Sequence, residues 1–202
     1  QDSSRVVSVS SDDTMAVWDA STGALCWRTK LQEPQTVSLH AKTINVQLRL
    51  IAGLVSGLMP DVYLGLLCVS YSPCGGCIAV GAYDGTVRVH NAATGEQQHR
   101  LLGDHEGGIT AVQFVQNCST ALVSVGADGR VVLWSLPPAV DVDADSSTAV
   151  VTIQSAVVRH HSQCVLTCLA TFCEGAKIVY GDGRRTLRVV DIQSQKDLFH
   201  LN

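Results

Sequence analysis

The feature that most constrains this chain is that it repeats itself. Three segments lie over one another in register: SVSSDDTMAVWDASTG from Ser8, VGAYDGTVRVHNAATG from Val80 and SVGADGRVVLWSLPPA from Ser124. A weaker fourth copy, YGDGRRTLRVVDIQSQ, starts at Tyr180. Each copy reads as a short strand, a tight turn, a second strand and a polar turn. The turn position falls on Asp12, Asp84, Asp128 and Arg184, at separations of 72, 44 and 56 residues. A unit this short buries its apolar face only by stacking on its neighbours. The two longer intervals exceed the shortest by 28 and 12 residues, so insertions are expected there.

The units are built from strands. Valine, threonine and serine recur in short runs punctuated by glycine and aspartate, which suits a pleated, half-buried surface. No stretch sustains a helical period. Apolar segments precede three copies where the register requires a strand: Leu66–Ser72, Ile109–Val115 and Val165–Thr171. A further strand is expected after each copy, at Ala24–Lys30, Gln97–Leu102, Ala149–Ala156 and Lys196–Leu201, the last of them belonging to a blade that is absent. Four strands per unit at this period is the arrangement of a propeller blade. With 46% apolar residues, the chain can bury a sizeable core.

These segments resemble the WD-repeat family, and the resemblance covers most of the chain outside Leu31–Gly65 and Leu136–Ser147. The turn at Ser70–Gly76 (SYSPCGG) is similar to the family's serine–proline–x–glycine turn. The resemblance implies an all-β WD-repeat β-propeller segment, an incomplete ring of about four blades of four antiparallel strands. It also implies a hydrogen-bonded tetrad of histidine, Ser/Thr, aspartate and tryptophan within a blade. The matching residues are His105, Ser124, Asp128 and Trp134 in the third copy, and Ser8, Asp12 and Trp18 in the first. Val80 and His90 replace the serine and tryptophan of the second copy. Tyr180, Arg184 and Val190 replace three positions of the fourth.

The resulting division is a partial unit at 1–30, an insertion at 31–65, units at 66–103 and 104–135, a loop insertion with an outer strand at 136–162, and a degenerate unit at 163–202. Gln1 is not an initiator methionine, and the polar Gln1–Arg5 runs straight into a strand pattern, so the chain is expected to start inside a longer protein. The first copy lacks its innermost strand, and unpaired edges are expected at both ends.

The first insertion contains an apolar run, Leu50–Met59, bounded by Arg49, Pro60 and Asp61. That run is short of the roughly 18–20 residues a membrane span needs. It reads first as a gene-prediction artefact such as translated intron, because removing 28 residues restores the period, and second as a partner-binding loop. The second insertion carries Asp141, Asp143 and Asp145. It lacks the glycine and terminal glutamate of a calcium loop, so a solvated acidic loop is expected.

No catalytic, metal or cofactor site is expected. Cys74 and Cys77 have CxxC spacing, but a zinc site needs a second pair at matching spacing. Cys164, Cys168 and Cys173 near His160 and His161 are a weaker zinc suggestion, because Cys164 and Cys168 fall in or beside a strand, where they would pack. Cys68 and Cys77 are likewise read as small hydrophobes in a reduced protein. His105, Ser124 and Asp128 imitate a hydrolase triad, but no GxSxG elbow accompanies them. No glycine-rich phosphate loop occurs, and Asn117-Cys118-Ser119 is a glycosylation sequon by pattern only. A net charge of −4 without a Lys/Arg cluster gives no reason to expect nucleic acid, and no membrane partner is indicated.

The expectation is therefore a non-enzymatic scaffold that binds other proteins inside the cell, in the cytoplasm. The family's contact face carries the aspartate turns. Here it would hold Asp13, Tyr83, Gly85, Gly129, Arg184 and Arg185, with Tyr83, Arg184 and Arg185 as the partner-binding candidates. Two alternatives are a regulatory propeller of an apoptosome-like signalling protein and a ciliary or microtubule-associated WD protein.

Overall fold

The computed structural model describes residues 4–10, 12–31, 66–116, 118, 120–137, 151–153, 157–160, 164–172, 177–192, 194 and 196–201. Apart from Leu31 itself, the first insertion lies outside these residues. So do Asp141, Asp143 and Asp145, the sequon ends Asn117 and Ser119, and His161 and Cys173. The described elements are all strands, arranged in four sheets.

Blade 1 has three strands, β1 (Arg5–Val9), β2 (Thr14–Asp19) and β3 (Leu25–Lys30), paired antiparallel in that order. Blade 2 adds the innermost strand: β4 (Leu66–Tyr71), β5 (Cys77–Ala82), β6 (Val87–Asn91) and β7 (Gln97–Leu101). Blade 3 begins with β8 (Ile109–Phe114), β9 (Ala121–Gly126) and β10 (Arg130–Ser135).

The outer strand of blade 3 is not Ala149–Ala156. That segment holds β11 (Val151–Ile153), which pairs in parallel with β7 of blade 2, and β12 (Val157–His160) closes blade 3 against β10. The insertion is long enough for the chain to leave blade 3, cover the outer edge of blade 2 and return. It thereby pairs backbone groups that an edge strand leaves open.

Blade 4 is β13 (Leu166–Phe172), β14 (Lys177–Asp182), β15 (Leu187–Asp191) and β16 (Asp197–Leu201). The last strand does not belong to another blade. It pairs antiparallel with β15 and completes blade 4, because the polar turn after Asp191 reverses the chain onto its own neighbour.

Even the irregularities repeat. The pairing of the two inner strands slips at Leu66/Cys68, Ile109/Ala111 and Leu166/Cys168, the same place in three blades. The pairing of third and outer strands slips at Val17/Trp18, Val89/His90 and Val189/Val190. Bulges at matching positions twist each blade alike, which lets successive blades stack face to face.

The core lies between the blades. Met15 and Val17 of β2 pack against Ile78, Val80 and Ala82 of β5. Val87, Val89 and Leu101 of blade 2 pack against Leu122, Val132 and Trp134 of blade 3. Val123, Val125 and Val131 of blade 3 meet Ile178, Tyr180 and Val190 of blade 4. Each fully buried aliphatic side chain contributes about 1.5–3 kcal/mol, so the junctions rather than single blades carry the stability. Trp27 adds a polar clasp: its indole N–H donates to the Ala92 carbonyl across 3.0 Å, and its ring covers Gly95 of the next blade.

The seven described cysteines are free thiols. Cys68 and Cys77 pack against the junction of blades 2 and 3, and burial pushes the Cys68 thiol up to about 12. Cys168 is exposed, contrary to the packed position expected of it: it lies on β13 of blade 4 and packs into none of the buried clusters of the described residues.

Candidate functional site

The third blade brings its four tetrad residues together. Trp134 on β10 donates its indole N–H to Ser124 Oγ on β9 at 2.7 Å. Ser124 Oγ lies 2.8 Å from His105 Nε2, and His105 Nδ1 lies 3.1 Å from both carboxylate oxygens of Asp128. The proton positions follow from the donors. An indole only donates, so the Ser124 hydroxyl accepts from it and has its own proton to give to His105 Nε2. The other ring nitrogen then carries the proton that Asp128 accepts, and a neutral imidazole satisfies the whole chain.

Asp128 also accepts the backbone N–H of Glu106 at 2.8 Å and of Arg130 at 3.0 Å. Burial works to raise its carboxyl. The hydrogen bond from His105, with the two backbone donors, outweighs that and holds it below the ordinary carboxylate value. Arg130 pairs with Glu106 and donates to the Asp104 carbonyl at 2.6 Å, tying the segment before β8 to the turn. Gly126 is required for this closeness: a Cβ there would meet Asp128 Oδ1 and His105 Nδ1 at 2.7 Å.

This arrangement does not suit Ser124 to nucleophilic attack. The residue is fully buried, and its hydroxyl is held between an indole and an imidazole. The order His–Ser–Asp resembles a triad in composition only; a triad presents its nucleophile to substrate. Among the described residues no cluster of three or more His, Cys, Asp or Glu side chains is placed to hold a metal ion. Cys74 Sγ is within hydrogen-bond distance of Ser72 Oγ and accepts from Gly76 N–H, while Cys77 starts β5 and points to Gln98. The CxxC pair thus spans an ordinary strand-to-strand turn.

In blade 1, Trp18 donates to Ser8 Oγ at 2.9 Å, but the pair is exposed. Asp12 turns back on its own loop, accepting the backbone N–H and the hydroxyl of Thr14. Those bonds, the Thr14 hydroxyl first and Ser10 next, lower its carboxyl to about 2.

Blade 2 replaces the network by another one. Val80 sits where the serine would be, and its cross-strand partner is Arg88. Partners across a strand pair share a face. The buried Arg88 guanidinium lies 3.4 Å from Asp84, the turn carboxylate that His105 serves in blade 3 by binding Asp128. His90, in place of the tryptophan, is buried with Nδ1 3.0 Å from the Gly95 carbonyl, which fixes that nitrogen as the donor. Sequence reading missed Arg88. The available signal was a charged residue inside the otherwise apolar β6.

Blade 4 moves its carboxylate. Arg184 occupies the register position of the turn aspartate, yet the turn is held by Asp182, which accepts the N–H groups of Arg184 and Thr186 at 2.9 and 3.0 Å. Asp182 was also overlooked, although it stands only two residues upstream. Tyr180, in the serine position, is buried against blade 3.

The turns between second and third strands present the face on which Tyr83, Arg184 and Arg185 were expected. All three are exposed, Tyr83 at 47%. Asp13, Gly85, Gly129 and Arg185 occupy one register position, and all four take a left-handed backbone, φ between 65° and 83°.

The comparisons with known proteins agree with this geometry. The family described as outer membrane protein assembly factor BamB, a β-propeller family, matches residues 2–168. WD repeat-containing protein 18 of Danio rerio is 25% identical over the whole chain, which covers 41% of that protein. The chain is a β-propeller protein of the WD-repeat family. A second relative, the pre-rRNA-processing protein IPI3 of Yarrowia lipolytica, is 30% identical over 66% of this chain and 28% of its own length. The WD-repeat chain thus spans less than half of either relative. WD-repeat proteins of this kind are generally non-enzymatic scaffolds that mediate protein interactions. No helix among the described residues is long and apolar enough to cross a membrane.

Proposed function

We propose that this WD-repeat segment is a protein-interaction scaffold inside the cell and that its contact face is the row of turns bearing Tyr83, Arg184 and Arg185. The observation that carries this reading is the contrast between a rigid support and reactive tips. Asp182 fixes the blade 4 turn from within, and two arginines stand exposed on it. Arginine forks suit carboxylates and phosphates, and an exposed tyrosine supplies an aromatic anchor. The interior of blade 3, by contrast, uses its polar groups on one another.

The relative named for pre-rRNA processing favours an assembly acting in that pathway over an apoptosome-like or ciliary one. A tagged chain is expected to co-sediment from cell extract with particles containing rRNA precursors. Arg184→Glu with Arg185→Glu should abolish this co-sedimentation at unchanged far-UV dichroism. A wild-type chain that stays at the top of the gradient overturns the pathway. A double variant that still co-sediments overturns the face.

A further inference from the structure

The outer strand of blade 2 carries an unmet charge. Four of the five residues of β7 are polar, Gln97, Gln98, His99 and Arg100, and the fifth, Leu101, is fully buried in the junction with blade 3. Arg100 stands directly across from Arg88 on β6. Like charges opposite one another on a strand pair repel. Asp84 pairs with Arg88, whereas Nε of Arg100 is buried with no hydrogen-bond partner among the described residues. Nδ1 of His99, the preceding residue, is left unpartnered in the same way. A buried donor without an acceptor costs free energy, and more when it belongs to a charged group.

The strand beside β7 is not one of the blade's own. β11 is three residues long and runs parallel to β7, with Val151, Thr152 and Ile153 in register with His99, Arg100 and Leu101. It is supplied by the segment that carries the chain from β10 to β12 of blade 3. Such a short pairing is a small attachment, and parallel pairing is the weaker kind per residue. The register puts a threonine beside Arg100, and a hydroxyl supplies no counter-charge. A sheet edge accepts an added strand through its backbone and selects it through alternate side-chain positions.

We propose that the β7 edge of blade 2 is a second protein-binding site, which takes an extended acidic segment of a partner in the place that β11 fills. The segment runs parallel to β7 and carries a carboxylate at the Thr152 position, between apolar residues at the Val151 and Ile153 positions. The carboxylate answers the charge of Arg100, and the apolar residues continue the face of Leu101. Blade 2 has a described blade packed on each side of it. This site is separate from the turn face proposed above, so either can fail alone.

Fluorescein-labelled peptides Gly-Ser-Val-Xaa-Ile-Ser-Gly, with Glu, Gln or Lys at Xaa, test the site by anisotropy on the 202-residue chain. The acceptor is the variant Thr152→Pro with Ile153→Pro. It removes two successive backbone donors of β11, one of which faces β7, and so frees the edge. The Glu peptide should bind about tenfold tighter than the Gln peptide, the discrimination that one charge-assisted hydrogen bond supplies, and the Lys peptide should bind most weakly. Adding Arg100→Gln should remove the difference between the Glu and Gln peptides. Binding to the wild-type chain should be weaker throughout, because the tethered β11 competes. Equal affinities for the Glu and Lys peptides overturn the proposal. So does a preference that survives Arg100→Gln, or an edge that binds no peptide because β11 is a permanent closure. If the proline pair does not fold, Thr152→Glu decides within the chain. It should raise the melting midpoint of the wild type and leave that of the Arg100→Gln chain unchanged. A midpoint shift that does not depend on Arg100, or no shift in either chain, overturns the contact.

Discussion

Trp134 hands its indole N–H to the hydroxyl of Ser124 across 2.7 Å, with both side chains wholly buried, whereas Trp18 and Ser8 make the same bond in the open. Identical chemistry in two settings gives a direct comparison. Ser124→Ala strips the indole of its acceptor and His105 Nε2 of its hydroxyl. Groups left unsatisfied in a buried site cost about 1–3 kcal/mol. Ser8→Ala leaves an indole that water can serve, and should change stability by about 0.5 kcal/mol or less. Urea unfolding of the two variants measures the difference, and equal effects would remove the blade 3 network as a stabilising element.

Arg88 predicts a different outcome in blade 2. Its guanidinium is buried beside Asp84, and removing one partner of a buried pair costs about 3–5 kcal/mol, more than replacing both by neutral groups. Arg88→Met alone should lower the melting midpoint markedly. Arg88→Met with Asp84→Asn should recover much of the loss. A double variant no better than the single one would show that the pair is not the unit that matters.

His90 gives the chain a pH dependence of definite sign. Burial, the largest influence, lowers its pKa from 6.5 to about 4. The unfolded chain therefore binds a proton below pH 6.5 that the folded chain refuses until about pH 4. The contribution is complete above pH 6.5 and is lost progressively as pH falls to 4, on the order of 3 kcal/mol in all. His90→Gln should flatten the stability profile in that window. A slope unchanged by the substitution would mean that His90 is protonated in the fold.

The sequence revealed whatever the repeat itself encodes. The strand pairs around Asp12, Asp84 and Asp128 lie where the register put them, because apolar alternation and an aspartate turn are local signals. What escaped was substitution between positions. Arg88 meets Asp84 by reaching along a strand, and Asp182 holds a turn from two residues away, so neither aligns with the group it replaces. The outer strand of blade 3 escaped for a different reason. Val151–Ile153 and Val157–His160 are similar short β-branched runs, and which one faces β10 depends on a long crossover that no local pattern specifies.

Arg185 carries the last prediction, where support and contact face meet. It holds φ +69° at the register position that Gly85 and Gly129 fill at φ +83° and +75°. For a residue with a Cβ this region costs about 1–2 kcal/mol, and glycine avoids that cost while losing some chain entropy on folding. Arg185→Gly should therefore stabilise the fold by about 0.5–1 kcal/mol in urea unfolding. The same variant should weaken co-sedimentation with the precursor particles, because it removes one of the two arginines from the proposed face. Strain retained at a position where glycine is tolerated twice in the same chain fits a side chain kept for contact. A variant that is stabilised and still binds fully would leave the strain explained by nothing in the contact face.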